Sequence, residues 1–153
     1  MLELLLSKPV LVGLHLGFAI LAIDAFFWLL GEYVAKSQHY GRMTLAAMLG
    51  FLGFMASWII GGYYYVTYYG PLVKPIIKAG STPWAHTIAM EAKEHIFLFL
   101  PPIALTILFL VLAKDINFRR SVMWLTGLVI FLGLSIGAMG YIISAAARWG
   151  GFI

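Results

Sequence analysis

Four long apolar stretches alternate with short polar segments along the chain. They cover about residues 9–34, 43–69, 95–113 and 121–149. A helix needs about 20 mostly apolar residues to cross the hydrocarbon core of a bilayer, and each stretch is close to that length or longer. The pattern therefore predicts an all-α membrane protein: an antiparallel bundle of four transmembrane helices that forms a single domain over residues 1–153.

The only long polar segment, about residues 70–94, contains two pairs that favour a break in regular structure. These pairs are Gly70-Pro71 and Lys74-Pro75. Proline removes a backbone donor, and glycine adds conformational freedom. We therefore expect the second helix to end near Tyr69 and an irregular loop to follow it.

The third helix has a start signal well before its apolar stretch. Ser81-Thr82-Pro83 offers hydroxyl caps and a proline for the first turn. We expect this helix to begin near Pro83, outside the hydrocarbon, and to enter the hydrocarbon near His95. Pro101-Pro102 predicts a kink further along, because proline removes a backbone hydrogen bond and clashes with the preceding turn.

Composition supports a membrane protein and excludes several classes of function. Hydrophobic residues make up 63% of the chain and charged residues 10%, whereas soluble domains carry about 25% charged residues. The ten Lys and Arg residues are scattered, so we expect the lipid bilayer as a partner and no nucleic acid. The chain has no Cys, which excludes disulfides, thiolate metal sites, iron–sulfur clusters and covalently attached haem.

Basic residues are denser in the two short loops than at the opposite end of the bundle, although each side has five of the ten. The positive-inside rule makes the denser side cytoplasmic. We therefore expect an inner or plasma membrane protein with both termini and the 70–94 loop on the non-cytoplasmic side. Glu3 and the lack of a basic region before the first apolar stretch favour a retained helix over a cleaved signal peptide.

Small residues recur at every fourth position on three of the predicted helices, which lets helix backbones approach closely in a membrane. They are Gly13 and Gly17, then Gly53, Ser57 and Gly61, then Gly133 and Gly137. Five tyrosines close the second apolar stretch: Tyr63, Tyr64, Tyr65, Tyr68 and Tyr69. Such a run is typical of an aromatic belt at the membrane surface. The alternative is a set of rings that pack on a haem or dock a soluble electron carrier.

Three of the four histidines fall on the side that holds the termini and the long loop. His15 lies about two turns inside the first helix and His95 lies where the third helix enters the membrane, so we expect similar depths. His86 lies above His95 and points nearly opposite to it, and His39 lies in a loop at the other end. Two histidines that face into a bundle from different helices match the two axial ligands of a b-type haem.

A haem between His15 and His95 also needs space for the ring and cations for its propionates. The neighbours that could supply them are Gly13 and Gly17 for space and Arg148 or Lys93 for charge. The alternative is that both histidines are interfacial residues that form hydrogen bonds with their neighbours.

A non-haem metal site is the second hypothesis for the same end of the bundle. The candidate donors, which suit copper, iron or zinc, are His15, His86, Met90, Glu91, Glu94 and His95. Glu91 and His95 are four residues apart, but the stretch has no HExxH motif. The alternative is an exposed helical stretch whose acids pair with Lys93 or Lys78.

Asp24 places a carboxylate near the middle of the first apolar stretch, where it costs ~2.5–3.5 kcal/mol on insertion scales. It would serve as a proton relay or line a quinone pocket, or it would bond to a hydroxyl such as Ser57 or Ser135. Asp24 lies about 180° around the helix from His15, so we do not expect the two to share a site.

The sequence therefore favours a small b-type cytochrome-like electron-transfer protein or subunit over a self-sufficient enzyme. Haem b would lie between His15 and His95 and exchange electrons with a redox partner protein or a quinone. The alternatives are a copper- or iron-binding membrane protein that uses residues 86–95, and a structural subunit of a homo-oligomer or larger membrane complex.

Overall fold

The computed structural model describes residues 2–149, which form helices and no strand. After a single turn at Leu2–Leu5, four helices are long and apolar enough to cross a membrane. They are α1, Lys8–Val34; α2, Tyr40–Ala79; α3, Ala85–Leu112; and α4, Ile116–Trp149. Large apolar side chains such as Phe99, Trp124 and Phe131 are exposed on the outside, which suits contact with lipid. The chain is therefore an all-α integral membrane protein, as the hydropathy pattern predicts.

The four helices form a bundle in which α1 and α3 lie diagonally. Each of these two helices packs mainly against α2 and α4. Contacts between α1 and α2 run in reverse order along the two helices, since Gly53 lies against Ala22 and Gly50 lies against Phe26. The two short loops therefore share one end of the bundle, and the α2–α3 connection lies at the other.

The buried core lies at the centre of the bundle and consists of aromatic and aliphatic side chains. Phe26 and Phe54 are fully buried, and their rings stack with centroids 5.8 Å apart. Gly50 allows this stacking, because a Cβ atom there would lie 2.6 Å from the Phe26 ring. Lipid provides no hydrophobic drive between helices, so close packing of this kind stabilises the bundle.

The predicted break after Tyr69 is wrong, because α2 continues well past it. Tyr65–Val73 widens into a π-helix, and Lys74–Ala79 returns to α-helix. Pro71 lies inside the widened segment, where the shift to i→i−5 bonding accommodates the residue that lacks an N–H. Pro75 lies in the first turn of the α-helical piece, directly after the π-helical segment.

The start of α3 agrees with the prediction near Pro83. A π-helical segment, Ala85–Met90, leads directly into the α-helix Glu91–Leu112. Pro101 and Pro102 lie inside this helix, which is continuous around them. The kink at these two residues stays a prediction.

The predicted rows of small residues differ in outcome. Gly53 and Gly61 on α2 lie directly against α1, which confirms close packing there. A Cβ atom added at Gly13 or Gly17 meets nothing within 4 Å. Both glycines lie about 200° around α1 from His15, so they do not flank a ring that binds to that histidine.

Candidate functional site

His15 lies half-buried between α1 and α2, where Ser57 holds its imidazole. The Nδ1 atom lies 2.9 Å from the Ser57 carbonyl oxygen and 3.0 Å from the Ser57 hydroxyl oxygen. The same hydroxyl donates to the His15 carbonyl at 3.0 Å. Because a carbonyl can only accept, Nδ1 carries the ring proton and Nε2 presents its lone pair.

A glycine and an aromatic ring complete the packing around His15. A Cβ atom at Gly61 would lie 2.6 Å from His15 Nδ1, so the imidazole occupies space that only a glycine leaves open. On α3, the Phe97 ring meets His15 edge-on with centroids 6.2 Å apart. Phe97 also contacts Phe54 of α2. His15 therefore lies at the edge of an aromatic cluster that three helices share.

Lys93 places a positive charge near His15. The lysine is partly buried and lies within electrostatic range of the imidazole. Its Cε atom passes close to α4, 3.7 Å from where a Cβ atom at Gly140 would lie. Arg148 is exposed, and its guanidinium donates to the Ser144 hydroxyl at 2.9 Å. Of the two cations that the sequence suggests, Lys93 is therefore the one within electrostatic range of His15.

His95 does not face into the bundle, which corrects the sequence-based expectation. Its side chain is exposed, and Nδ1 donates to the Glu91 carbonyl of its own helix at 2.6 Å. Phe97, the α3 residue that meets His15, lies about 200° around the helix from His95. The structure therefore does not bring His15 and His95 together, because His15 contacts the Phe97 side of α3 and His95 lies on the other side of that helix.

A buried pair of polar side chains joins the two π-helical segments. His86 is 2% exposed, and its Nδ1 lies 3.1 Å from the hydroxyl oxygen of Tyr69. The Tyr65 ring stacks on Tyr69 with centroids 5.2 Å apart. Tyr69 is itself buried, so the prediction that it belongs to a surface belt is wrong, whereas the exposed Tyr63 fits a belt. Segments of π-helix frequently mark functional sites.

The two acids of the 86–95 stretch lie in different surroundings. Glu91 Oε1 is 3.8 Å from His86 Nε2. Glu94 lies beside Tyr65, and its Oε1 atom is buried without a hydrogen-bond partner among the described residues. Within residues 2–149, no three His, Asp or Glu side chains come together as a metal ion would require. The donors of the non-haem hypothesis therefore form no cluster of three within the described residues.

Asp24 is exposed on the outer surface of α1. Its two predicted hydroxyl partners donate elsewhere: Ser57 donates to the His15 carbonyl, and Ser135 donates to the Phe131 carbonyl at 2.8 Å. The prediction of a helix-to-helix bond from Asp24 to either serine is therefore wrong. The carboxylate instead points away from the other three helices, at the outer surface of the bundle.

Comparison with known proteins places the chain in no family. No family model, no curated protein and no solved structure matches it. The class of protein is nevertheless defined by the fold: an integral membrane protein built from four helices, with a polar site around His15 near the end that carries the α2–α3 connection.

Proposed function

We propose that the protein is a small b-type cytochrome-like electron-transfer protein or subunit, in which His15 Nε2 would hold the iron of haem b. The observation that carries this proposal is the bond between His15 Nδ1 and the Ser57 carbonyl. A metal-ligating histidine almost always donates its other ring N–H in this way, because the bond fixes the tautomer and orients the ring.

The surroundings of His15 suit a haem better than a bare metal ion. A haem iron needs one or two protein ligands, whereas a structural zinc site needs four. Phe97 offers an aromatic edge next to the imidazole, and Lys93 offers a cation for a propionate. Bound haem would supply a one-electron redox centre, and these residues would hold and orient it.

His95 shares one feature with His15: its Nδ1 also donates to a backbone carbonyl, which leaves Nε2 free to act as a ligand. A single iron could reach both histidines only if α3 turned by about half a turn. That turn would move the partly buried Lys93 and Glu94 towards lipid, where charged groups are costly. We therefore assign the haem within the bundle to His15 and leave His95 at the bundle surface.

The proposed orientation rests on the distribution of basic residues, and the proposed redox partner follows from the side on which His15 then lies. The short-loop end carries the denser basic residues, which favours the cytoplasmic side for that end and the non-cytoplasmic side for both termini and the α2–α3 connection. A haem on His15 would then exchange electrons with a redox protein on the non-cytoplasmic side or with a quinone. Asp24 is exposed along α1, where a quinone dissolved in the bilayer can reach it and exchange a proton.

Orientation can be measured cleanly because the chain has no Cys. Ser81→Cys in the α2–α3 connection and Gln38→Cys in the first short loop both replace exposed residues. A membrane-impermeant maleimide applied to intact cells should label the cysteine at position 81 and spare that at position 38. Labelling of position 38 alone would reverse the proposed orientation.

Absorption spectra of the detergent-purified protein test the function. A Soret band in the oxidised protein, with sharp α and β bands after dithionite reduction, supports a haem protein, and the pyridine adduct identifies haem b. Protein from haem-replete cells that shows no Soret band contradicts the proposal. Elemental analysis for copper and iron then tests the non-haem hypothesis.

A structural subunit of a larger membrane complex is the second candidate, and Asp24 is the observation that favours it. A carboxylate exposed on a membrane-spanning helix is costly unless something pairs with it. A neighbouring chain in a homo-oligomer or larger complex would supply that partner. Under this hypothesis, Asp24→Asn weakens the assembly in mild detergent and leaves any haem spectrum unchanged.

A further inference from the structure

A cavity with four charged residues in its wall lies at the short-loop end of the bundle, at the opposite end from His15. Its volume is about 50 Å³, which leaves room for a few waters or one phosphate-sized group. The ends of all four helices contribute to its wall. The residues that matter for its chemistry are Tyr33, Lys36, Tyr40, Lys114, Asp115 and Arg119.

The cavity wall carries an excess of positive charge. Lys36, Lys114 and Arg119 line it together with a single carboxylate, Asp115. Asp115 is already engaged, since its Oδ1 accepts the backbone N–H of Asn117 at 2.9 Å and caps the start of α4. Three cations around one cavity suit a phosphate, which accepts strong charge-assisted hydrogen bonds from Lys and Arg.

The guanidinium of Arg119 is held at the cavity by a contact between helices. Its Nη2 donates to the Tyr33 carbonyl at the end of α1, 2.6 Å away. A guanidinium has five N–H donors, so this bond fixes the group and leaves other donors for a ligand.

Lys36 and Lys114 occupy the same position at the ends of α1 and α3. Each adopts the left-handed conformation, with φ of 54° and 53°. Glycine is the usual residue there, because a side chain is disfavoured in this region. A lysine at a helix end also stabilises the helix dipole. The left-handed conformation brings both lysines to the wall of one cavity.

Exposed apolar side chains adjoin the cavity and distinguish a lipid from a free phosphate. Ile116 lines it and is 69% exposed; Val34 does not line it but follows the lining residue Tyr33 in sequence and is 60% exposed. Both lie where the membrane-spanning helices end, so acyl chains can run along them while a headgroup fills the cavity. Basic pockets between transmembrane helices bind acidic headgroups in this way.

We propose that this cavity is a binding site for the phosphate headgroup of an anionic phospholipid, held by Lys36, Lys114 and Arg119. The proposal does not depend on whether the protein binds haem. The residues that carry the site lie away from the residues of the haem proposal, so the two fail or succeed separately.

Titration of delipidated protein in detergent, followed by native mass spectrometry, tests the proposal. The probes are dioleoyl phosphatidylglycerol, dioleoyl phosphatidylcholine and free glycerol phosphate. The variants are Lys36→Gln, Lys114→Gln and the double substitution, which replace exposed side chains. Arg120→Gln is the matched control, because Arg120 follows Arg119 in sequence, is exposed and does not line the cavity.

We expect the wild-type protein to bind phosphatidylglycerol more tightly than phosphatidylcholine. Each single lysine variant should weaken that binding about fivefold, and Arg120→Gln should leave it within about twofold. Equal losses in Arg120→Gln and the lysine variants would reduce the effect to general surface charge and overturn the proposal. Competition by glycerol phosphate as strong as that by the lipid would show a site for free phosphate instead. If the double variant does not fold, the comparison of the two single variants with Arg120→Gln tests the proposal.

Discussion

The imidazole of His15 and the backbone of Gly61 lie so close that a Cβ atom at position 61 would stand 2.6 Å from Nδ1. Real Cβ atoms essentially never approach another heavy atom that closely. The contact between His15 and Ser57 therefore requires glycine at position 61, because any side chain there would overlap the imidazole.

Gly61→Ala should displace the imidazole and destabilise the bundle. Overpacking of a close contact typically costs about 1–3 kcal/mol, and here it also separates Nδ1 from the Ser57 carbonyl. The measurement is thermal unfolding in detergent, followed by circular dichroism.

Gly62→Ala is the matched control, because a Cβ atom there meets nothing within 4 Å. Its effect should stay within about 0.5 kcal/mol. Equal destabilisation by both substitutions would mean that helix flexibility, not the His15 contact, accounts for the loss.

Ser57→Ala should lower stability by about 1 kcal/mol, because the fully buried hydroxyl donates to the His15 carbonyl. The Ser57 carbonyl remains, so His15 should keep its tautomer and any haem should stay bound. Ser135→Ala is the control, since that hydroxyl bonds only within its own helix. A loss of haem in Ser57→Ala without any loss of stability would contradict this division of roles.

Tyr69→Phe tests the buried pair that joins the π-helical segments. The substitution keeps the ring stack on Tyr65 and leaves His86 Nδ1 buried without its partner, which costs about 1–3 kcal/mol. Tyr63→Phe removes a hydroxyl from an exposed ring and should change the unfolding temperature little. If the two substitutions have equal effects, the Tyr69–His86 contact does not contribute to stability.

Asp24→Asn should leave the folded chain and its spectrum unchanged, because the side chain is exposed and lies away from His15. If Asp24 exchanges protons with a quinone, quinol-dependent reduction of the haem should fall in this variant, whereas reduction by dithionite should not. The measurement is stopped-flow absorbance with a short-chain quinol. Unchanged quinol kinetics would remove Asp24 from electron transfer.

Much of the fold could be predicted because the bilayer fixes the length of each apolar stretch. The predicted span 9–34 compares with α1 at Lys8–Val34, and 121–149 compares with α4 ending at Trp149. The end of α2 was mispredicted for a local reason. The Gly70-Pro71 and Lys74-Pro75 pairs disfavour an uninterrupted α-helix. The wider π-helical turn nevertheless accommodates Pro71, so the helix continues.

The direction of His95 was harder to predict than its depth. Depth follows from counting residues along a helix, whereas direction depends on which neighbours the helix packs against. One signal was present in the sequence: Leu100, Ala104 and Ile107 recur at helical spacing and form the buried face of α3, and His95 is not in that register. Gly61 was recognised as a packing residue, but its contact with His15 needed the structure.

The haem content of three histidine variants tests whether His15 holds a haem inside the bundle. The measurement is the ratio of Soret absorbance to protein for His15→Ala, His95→Ala and His39→Ala, the last an exposed residue at the opposite end. We expect His15→Ala to lose the Soret band, His39→Ala to retain the full ratio and His95→Ala to retain the haem inside the bundle. An undiminished Soret band in His15→Ala, or its absence from the wild-type protein, would show that His15 does not hold a haem.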